Sequence, residues 1–294
     1  MDHSAAIYGL CIRLEHRTIL TASGDRYIAE WSMNDLSPTG LAVKLQKPAY
    51  CVFAIPATSL MVVGNSEGAF HVIDLETKKE IRLLSAHRQG VYGFSYIAHQ
   101  NILISTGGDG SIALWDIPSF ELIRQIPFGE TKIRRIALSP DGKEIALASA
   151  DGFIRILDTE FFNETQTISA HEGGAVCCAY SPKKPVLYTG GRDGYLRVYN
   201  RKEGYNRLIE LPAHYTSIYS IALSPTEDFL VTTSRDKSFK IWDLPTLEVI
   251  EKIEARHGGH SHSVNDCVWL NEYSFVTCGD DRKILRVEIK DSPN

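Results

Sequence analysis

The chain has 294 residues and a formal net charge of −5, from 31 Lys plus Arg against 36 Asp plus Glu. That balance excludes the strongly basic footprint of a nucleic-acid binder, and no stretch approaches the ~20 apolar residues of a membrane span. The opening Met-Asp-His-Ser-Ala-Ala shows no basic segment followed by an apolar core, so no secretory leader is visible. The expectation is therefore a cytoplasmic protein. Its cysteines Cys11, Cys51, Cys177, Cys178, Cys267 and Cys278 each sit in an apolar, strand-like run, where a reduced thiol behaves as a small hydrophobe. Asn163-Glu164-Thr165 matches a glycosylation acceptor by letter and reads as an ordinary loop.

Length alone suggests about two domains, but an internal period overrides it. An acidic residue and a large apolar residue six positions later recur seven times. The pairs are Asp25 with Trp31, Glu67 with Ile73, Asp109 with Trp115, Asp151 with Leu157, Asp193 with Tyr199, Asp236 with Trp242, and Asp281 with Val287. Successive intervals are 42, 42, 42, 42, 43 and 45 residues. Such a ruler is produced by blades of four short strands arranged in a ring. The expected fold is all-β: a seven-bladed β-propeller of four-stranded antiparallel blades, with residues 1–294 forming one unit.

Taken in chain order, unit one opens two residues after Met1, so the chain starts at the innermost strand of the first blade. Units two to six each read as strand, turn, strand, tight turn, strand, loop, strand. Asp109-Gly110, Asp151-Gly152 and Asp193-Gly194 are hairpin-turn dipeptides, because Gly accepts positive φ without steric cost. Strand interiors such as Ile136-Ala-Leu138 and Ile145-Ala-Leu-Ala148 are apolar on consecutive residues, as expected where both faces of a sheet are covered. Unit six is the clearest, with strands over Ile218–Leu223, 229–233, Phe239–Asp243 and 247–253. Unit seven supplies Val264–Trp269, 274–278 and 284–289, leaving too little for an outer strand. A three-stranded last blade with a free edge is predicted, closed onto blade one by side-chain packing alone. Arg286, Glu288 and Lys290 are the charges expected to discourage another strand from adding there.

A His stands 28 residues before the Trp position, and a hydroxyl four before the acid, in several units. Unit one has His3, Thr21, Asp25 and Trp31; unit three His87, Ser105, Asp109 and Trp115; unit six His214, Thr232, Asp236 and Trp242. Unit five has His171, Thr189, Asp193 and Tyr199, and unit seven His260, Thr277 and Asp281, ending in Val287. Units two and four carry Leu45 and Gly129 at the His position. With these residues the chain resembles the WD-repeat β-propeller family over essentially its full length. The resemblance implies a buried hydrogen-bond chain in which Asp accepts from His, His engages the hydroxyl, and the hydroxyl meets the indole N–H.

By composition His214, Thr232 and Asp236 could pass for a hydroxyl–His–acid triad, but five repeats of one active site in a small protein argue for a structural set. Gly107-Gly108-Asp109-Gly110 and Gly190-Gly191-Arg192-Asp193-Gly194 match no glycine-rich phosphate fingerprint in spacing and open no helix. His257-Gly-Gly-His260-Ser-His262 is the densest run of possible metal ligands. However, His260 belongs to a structural set and no acid or Cys adjoins the run. No metal and no cofactor is expected.

Five residues after each His position the units read Tyr8, Tyr50, Tyr92, Arg134, Val176, Tyr219 and Asn265. In the family this innermost-strand position opens onto the narrow face. Tyr and Arg are the types enriched at binding hot spots, and Lys132, Arg192 and Arg235 add positive charge on blades four to six. Tyr8, Tyr50, Tyr92, Lys132, Arg134, Arg192, Tyr219, Arg235 and Asn265 are the candidate partner-binding residues. The competing reading makes the tyrosines inter-blade packing. The function expected is a non-enzymatic scaffold for a protein or peptide ligand of acidic or phosphorylated character, acting as a monomer, with no nucleic acid or membrane partner. The alternatives are a propeller enzyme (a hydrolase or lyase) and a small-molecule sensor, each using the central channel.

Overall fold

The computed structural model describes residues 2–289. Seven antiparallel sheets follow one another along the chain, six of four strands and one of three, each in the order in which its strands occur. Every first strand lies beside the first strands of its two neighbours, and blade one meets blade seven. The ring is thus a seven-bladed propeller, as the period requires. Three single helical turns of the 3-10 type, Leu14–His16, Arg201–Glu203 and Ala255–His257, are inserted between strands.

Blade six shows how the sequence builds one unit. Its strands are Ile218–Leu223, Phe229–Ser234, Phe239–Asp243 and Glu248–Ile253. The tight turn between the middle two is held by Asp236, whose carboxylate accepts from the Ser238 amide at 3.0 Å. The equivalent turn in blade five uses Gly194 at φ +76°, where a Cβ would lie 2.2 Å from the His214 carbonyl oxygen. Glycine is obligatory there, since left-handed backbone and the close approach coincide. Blade six places Lys237 at φ +70° in its own turn.

The core is distributed between blades, one apolar cluster at each junction. Successive side chains of a strand face opposite neighbours. In blade three, Ala113 and Trp115 therefore pack toward blade two, while Ile112 and Leu114 pack toward blade four. This is why the strands read as unbroken apolar runs.

The last blade has three strands among the described residues: Val264–Trp269, Ser274–Gly279 and Ile284–Glu288. One expectation about it needs correcting. Closure onto blade one is not by packing alone. Asn265 donates its amide to the Ile7 carbonyl at 2.9 Å, the Leu10 amide donates to Asp266 at 3.1 Å, and Arg286 donates to the Met33 carbonyl at 2.9 Å. Arg286 turns toward blade one and pairs with Glu288 at 2.8 Å, because alternate residues of that strand face the neighbouring blade. Lys290 lies outside the described residues.

Candidate partner-binding site at the channel mouth

The polar sets come together in five blades. In blades one, three and six the imidazole Nδ1 lies 2.9 Å from Asp25, 3.2 Å from Asp109 and 3.0 Å from Asp236. Nε2 lies 2.7 Å from Thr21, 2.8 Å from Ser105 and 2.8 Å from Thr232. The indoles of Trp31, Trp115 and Trp242 donate to those same hydroxyls at 3.0, 3.0 and 2.9 Å. Blade seven keeps His260 between Asp281 (2.8 Å) and Thr277 (2.9 Å). In blade five His171 bridges Asp193 (3.0 Å) and Thr189 (2.9 Å). There Arg197 rather than Tyr199 reinforces the set, donating to Asp193 at 2.6 Å.

Burial outweighs the neighbouring carboxylates and lowers the pKa of His87, His171, His214 and His260. The shift favours the neutral imidazole, and in blades three, six and seven such a ring donates from Nδ1 to the carboxylate and accepts the hydroxyl proton at Nε2. In blade five the Arg197 guanidinium also stands 2.6 Å from His171 Nδ1. Burial by itself would raise Asp236, but donation from His214, Ser238 and the Tyr215 amide holds its carboxyl below the usual range. The five hydroxyl residues Thr21, Ser105, Thr189, Thr232 and Thr277 are all 0% exposed. No substrate carbonyl can reach a nucleophile so enclosed.

Blade two carries a different arrangement, in keeping with the Leu45 and Ile73 of its sequence. Leu45, Val63 and Ile73 fill the places of His, hydroxyl and Trp. Its titratable groups lie aside, with His71 Nδ1 2.7 Å from Glu80. In blade four Asp151 pairs with Arg155 at 2.6 Å. The His-rich loop gathers no metal site: both nitrogens of His260 are occupied, and no cluster of three metal-ligating groups occurs among the described residues.

The seven residues at the innermost-strand position share one backbone device. In every blade the pairing of first and second strands skips that residue, between Ile7 and Gly9, Ala49 and Cys51, Val91 and Gly93, and so on to Val264 and Asp266. A bulged residue leaves the ladder and re-aims its side chain. All seven consequently line one axial cavity of about 630 Å³.

Tyr8, Tyr50 and Tyr92 form a continuous arc. The first pair meets edge to face at 5.5 Å between ring centroids, and the second stacks at 5.3 Å. Tyr50 rests against Gly90, where a Cβ would come within 2.9 Å of its ring. Lys132 lies 5.4 Å above the Tyr92 ring and donates to its hydroxyl at 3.2 Å. Next round the ring, Arg134 keeps a buried Nε with no hydrogen-bond partner. Burial, then the charge of Arg192, lower its pKa. A cation short of counter-charge therefore adjoins an aromatic arc.

The remaining candidates are placed less uniformly. Val176 is buried, Arg192 and Arg235 are exposed, and neither these two arginines nor Lys132 lines the cavity. Asn265 is spent on ring closure and on the Asp280 carboxylate at 2.8 Å. On that side burial and then Asp280 raise the pKa of Tyr8. The mouth is thus acidic at blade seven, where Asp280 stands, and basic at blade four, where Arg134 stands.

The floor was missed at sequence level. Arg135 of blade four reaches across the channel to Asp266 of blade seven at 2.6 Å and donates to Ser220 at 2.8 Å. Ser220 donates to the same carboxylate at 2.7 Å, and the amides of Cys267 and Leu10 complete it. The Asp266 interaction, against an opposing burial effect, raises the pKa of Arg135. The signal was available one residue past the tyrosine position, which reads Gly9, Cys51, Gly93, Arg135, Cys177, Ser220 and Asp266. One cation and one anion among otherwise uncharged residues mark a cross-channel strut. Every oxygen in it is occupied, so it offers neither a free base nor a nucleophile.

A repeat family described as WD domain, G-beta repeat, matches residues 78–116, 121–158, 162–200, 205–243 and 251–285. The chain belongs to the WD-repeat family. Among similar proteins, the human (Homo sapiens) kinesin-like protein KIF21B is 27% identical over 243 residues, covering 72% of this chain and 14% of that protein. WD repeat-containing protein 55 of Rattus norvegicus is 22% identical over 233 residues, covering 76% of this chain and 60% of the relative. Nuclear distribution protein nudF of Emericella nidulans is 26% identical over 213 residues, covering 64% and 47%. The chain spans less than two thirds of the length of each. Propellers of this family are generally non-enzymatic scaffolds for protein interactions. Among the described residues no helix is long and apolar enough to cross a membrane.

Proposed function

We propose that this propeller is a non-enzymatic scaffold that captures an extended peptide segment of a partner protein at the channel mouth. The observation that carries the reading is the stacked Tyr8–Tyr50–Tyr92 arc running into the under-neutralised Arg134. Tyrosines supply large contact area at low conformational cost, and an unmatched guanidinium favours a carboxylate or phosphate on the ligand. An acidic or phosphorylated segment fits this pairing, with Arg192 and Lys132 at the rim and Tyr219 across the mouth. Asn265 and Arg235 take peripheral places in it. The His–hydroxyl–Asp–Trp sets act as internal cement. The six cysteines, all free, agree with a reducing cytoplasm.

The saturated Arg135–Asp266–Ser220 strut argues against an enzyme. The cavity volume keeps a small-molecule ligand as the second reading. The peptide reading is tested with arrays of acidic, phosphorylated and neutral peptides presented to the wild-type chain and to a Tyr92→Ala, Tyr219→Ala variant. Acidic or phosphorylated peptides are expected to bind the wild type and to lose at least about tenfold in affinity with the variant, whose thermal midpoint stays unchanged. Equal binding by both proteins would remove the mouth from the function.

A further inference from the structure

The third strand is enclosed in six blades and not in the seventh. In blades one to six at least three of its residues are buried, whereas none of Ile284–Glu288 is. That strand pairs only with Ser274–Gly279, so among the described residues nothing takes up the backbone groups of its other edge. The apolar clusters show the same deficit. Each of the other six junctions contains an outer-strand residue, such as Leu84, Ile126, Ile168 or Ile253, and the junction of blades seven and one contains none.

The six complete blades define what the vacant place accepts. The third-strand residue three before the Trp position always faces an apolar outer-strand residue: Val43, Leu84, Ile126, Ile168, Leu211 or Ile253. In blade seven that third-strand residue is Ile284, which already packs toward blade one. Two residues on is Arg286, whose terminal nitrogens reach Glu288 and the Met33 carbonyl while its Nε is buried without a partner. In blade six the corresponding register sets Glu251 against Ile241 and Ile253 against Phe239. An outer strand with that acid–x–isoleucine pattern would put a carboxylate opposite Arg286 and an apolar side chain into the depleted cluster.

We propose that blade seven is completed in trans by an extended segment of a partner protein. The segment adds antiparallel to Ile284–Glu288, with a Val, Leu or Ile opposite Ile284 and an Asp or Glu two residues before it, opposite Arg286. Main-chain hydrogen bonds supply affinity and the alternate side chains supply register. A second copy of this chain is a poor occupant, because full two-fold overlap of the five-residue strand sets Arg286 against Arg286. This surface lies on the outer rim, away from the channel mouth, and its test is independent of the peptide reading above.

The probe is a synthetic peptide of residues 246–254, Thr-Leu-Glu-Val-Ile-Glu-Lys-Ile-Glu, added to the 294-residue chain. Amide exchange is followed at Ile284, Arg286 and Glu288, whose N–H groups face the open edge, since Leu285 and Val287, in step with the Ile289 amide on the Tyr273 carbonyl, donate to the inner strand. These amides are expected to exchange freely in the chain alone and to slow by about tenfold or more with peptide, as ladder hydrogen bonds form. Peptides carrying Asp for Ile253 or Lys for Glu251 bind at least about tenfold more weakly, the first by losing its buried side chain. The Glu251→Lys peptide regains affinity for an Arg286→Glu chain. Unchanged exchange at millimolar peptide overturns the proposal. Protection of these three outward amides without peptide also overturns it, since a second copy or the chain's own flanking residues then hold the place. Equal binding of all three peptides does so too.

Discussion

Blades six and two share a backbone plan and fill it differently. Thr232 pairs with Lys240 in one as Val63 pairs with His71 in the other. In blade six the space between entrance loop and third strand holds His214, Thr232, Asp236 and Trp242 in a closed hydrogen-bond chain. In blade two it holds Leu45, Val63 and Ile73, and its histidine has moved to the flank beside Glu80. Both blades are complete and four-stranded. The polar set is therefore not what makes a blade. It is one of two self-consistent ways to fill the same volume, and the penalty falls on mixtures of the two.

The largest expected effect comes from making such a mixture. Thr232→Val leaves the His214 Nε2 and the Trp242 indole N–H without partners, each costing roughly 1–3 kcal/mol. A loss of about 2–4 kcal/mol in unfolding free energy is expected in denaturant titration. An unchanged midpoint would mean that the chain of hydrogen bonds is ornamental.

The second test moves blade six toward blade two. His214→Leu combined with Thr232→Val removes two members at once and orphans only the indole, so the double variant is expected to lose about 1–3 kcal/mol, less than the single. If the two losses simply add, the contrast between the blades has been misread.

The smallest effect is in pH dependence. The buried histidines of blades three, five, six and seven have folded pKa values below the ordinary 6.5. A depressed folded value means that the unfolded chain binds protons first as pH falls. The contribution is therefore fully present above pH 6.5 and is lost progressively as pH drops through the folded values. The aspartates add a second loss at lower pH, their folded values also lying below ordinary ones. Thermal midpoints should fall between pH 7.5 and pH 5, and the blade-six double variant should fall less steeply. A parallel pair of curves would show that His214 is not titrating with the others.

Much of this was legible without coordinates. The strands of blade six fall within a residue of their expected bounds, and the last blade has the three strands expected of it among the described residues. The tyrosine positions were found from register alone. What register could not supply was the reason they share a mouth, which is a bulge in each first strand, visible only as a skipped partner. Asn265 illustrates the gap. It occupies the same register position as Tyr92, yet the neighbouring Ile7 carbonyl, from the opposite end of the chain, claims its amide.

A repeat is a statement about local chemistry, because each ~42-residue unit must satisfy its own turns, strands and buried polar groups. The sequence by itself therefore determined the number of blades, the kind of strand and the membership of each polar set. Contacts across the axis obey no period. The strut from Arg135 to Asp266 spans 131 residues, and the turn of Arg286 toward Met33 spans 253. Only the closed ring decided these, since it alone brings such distant residues within reach of one hydrogen bond.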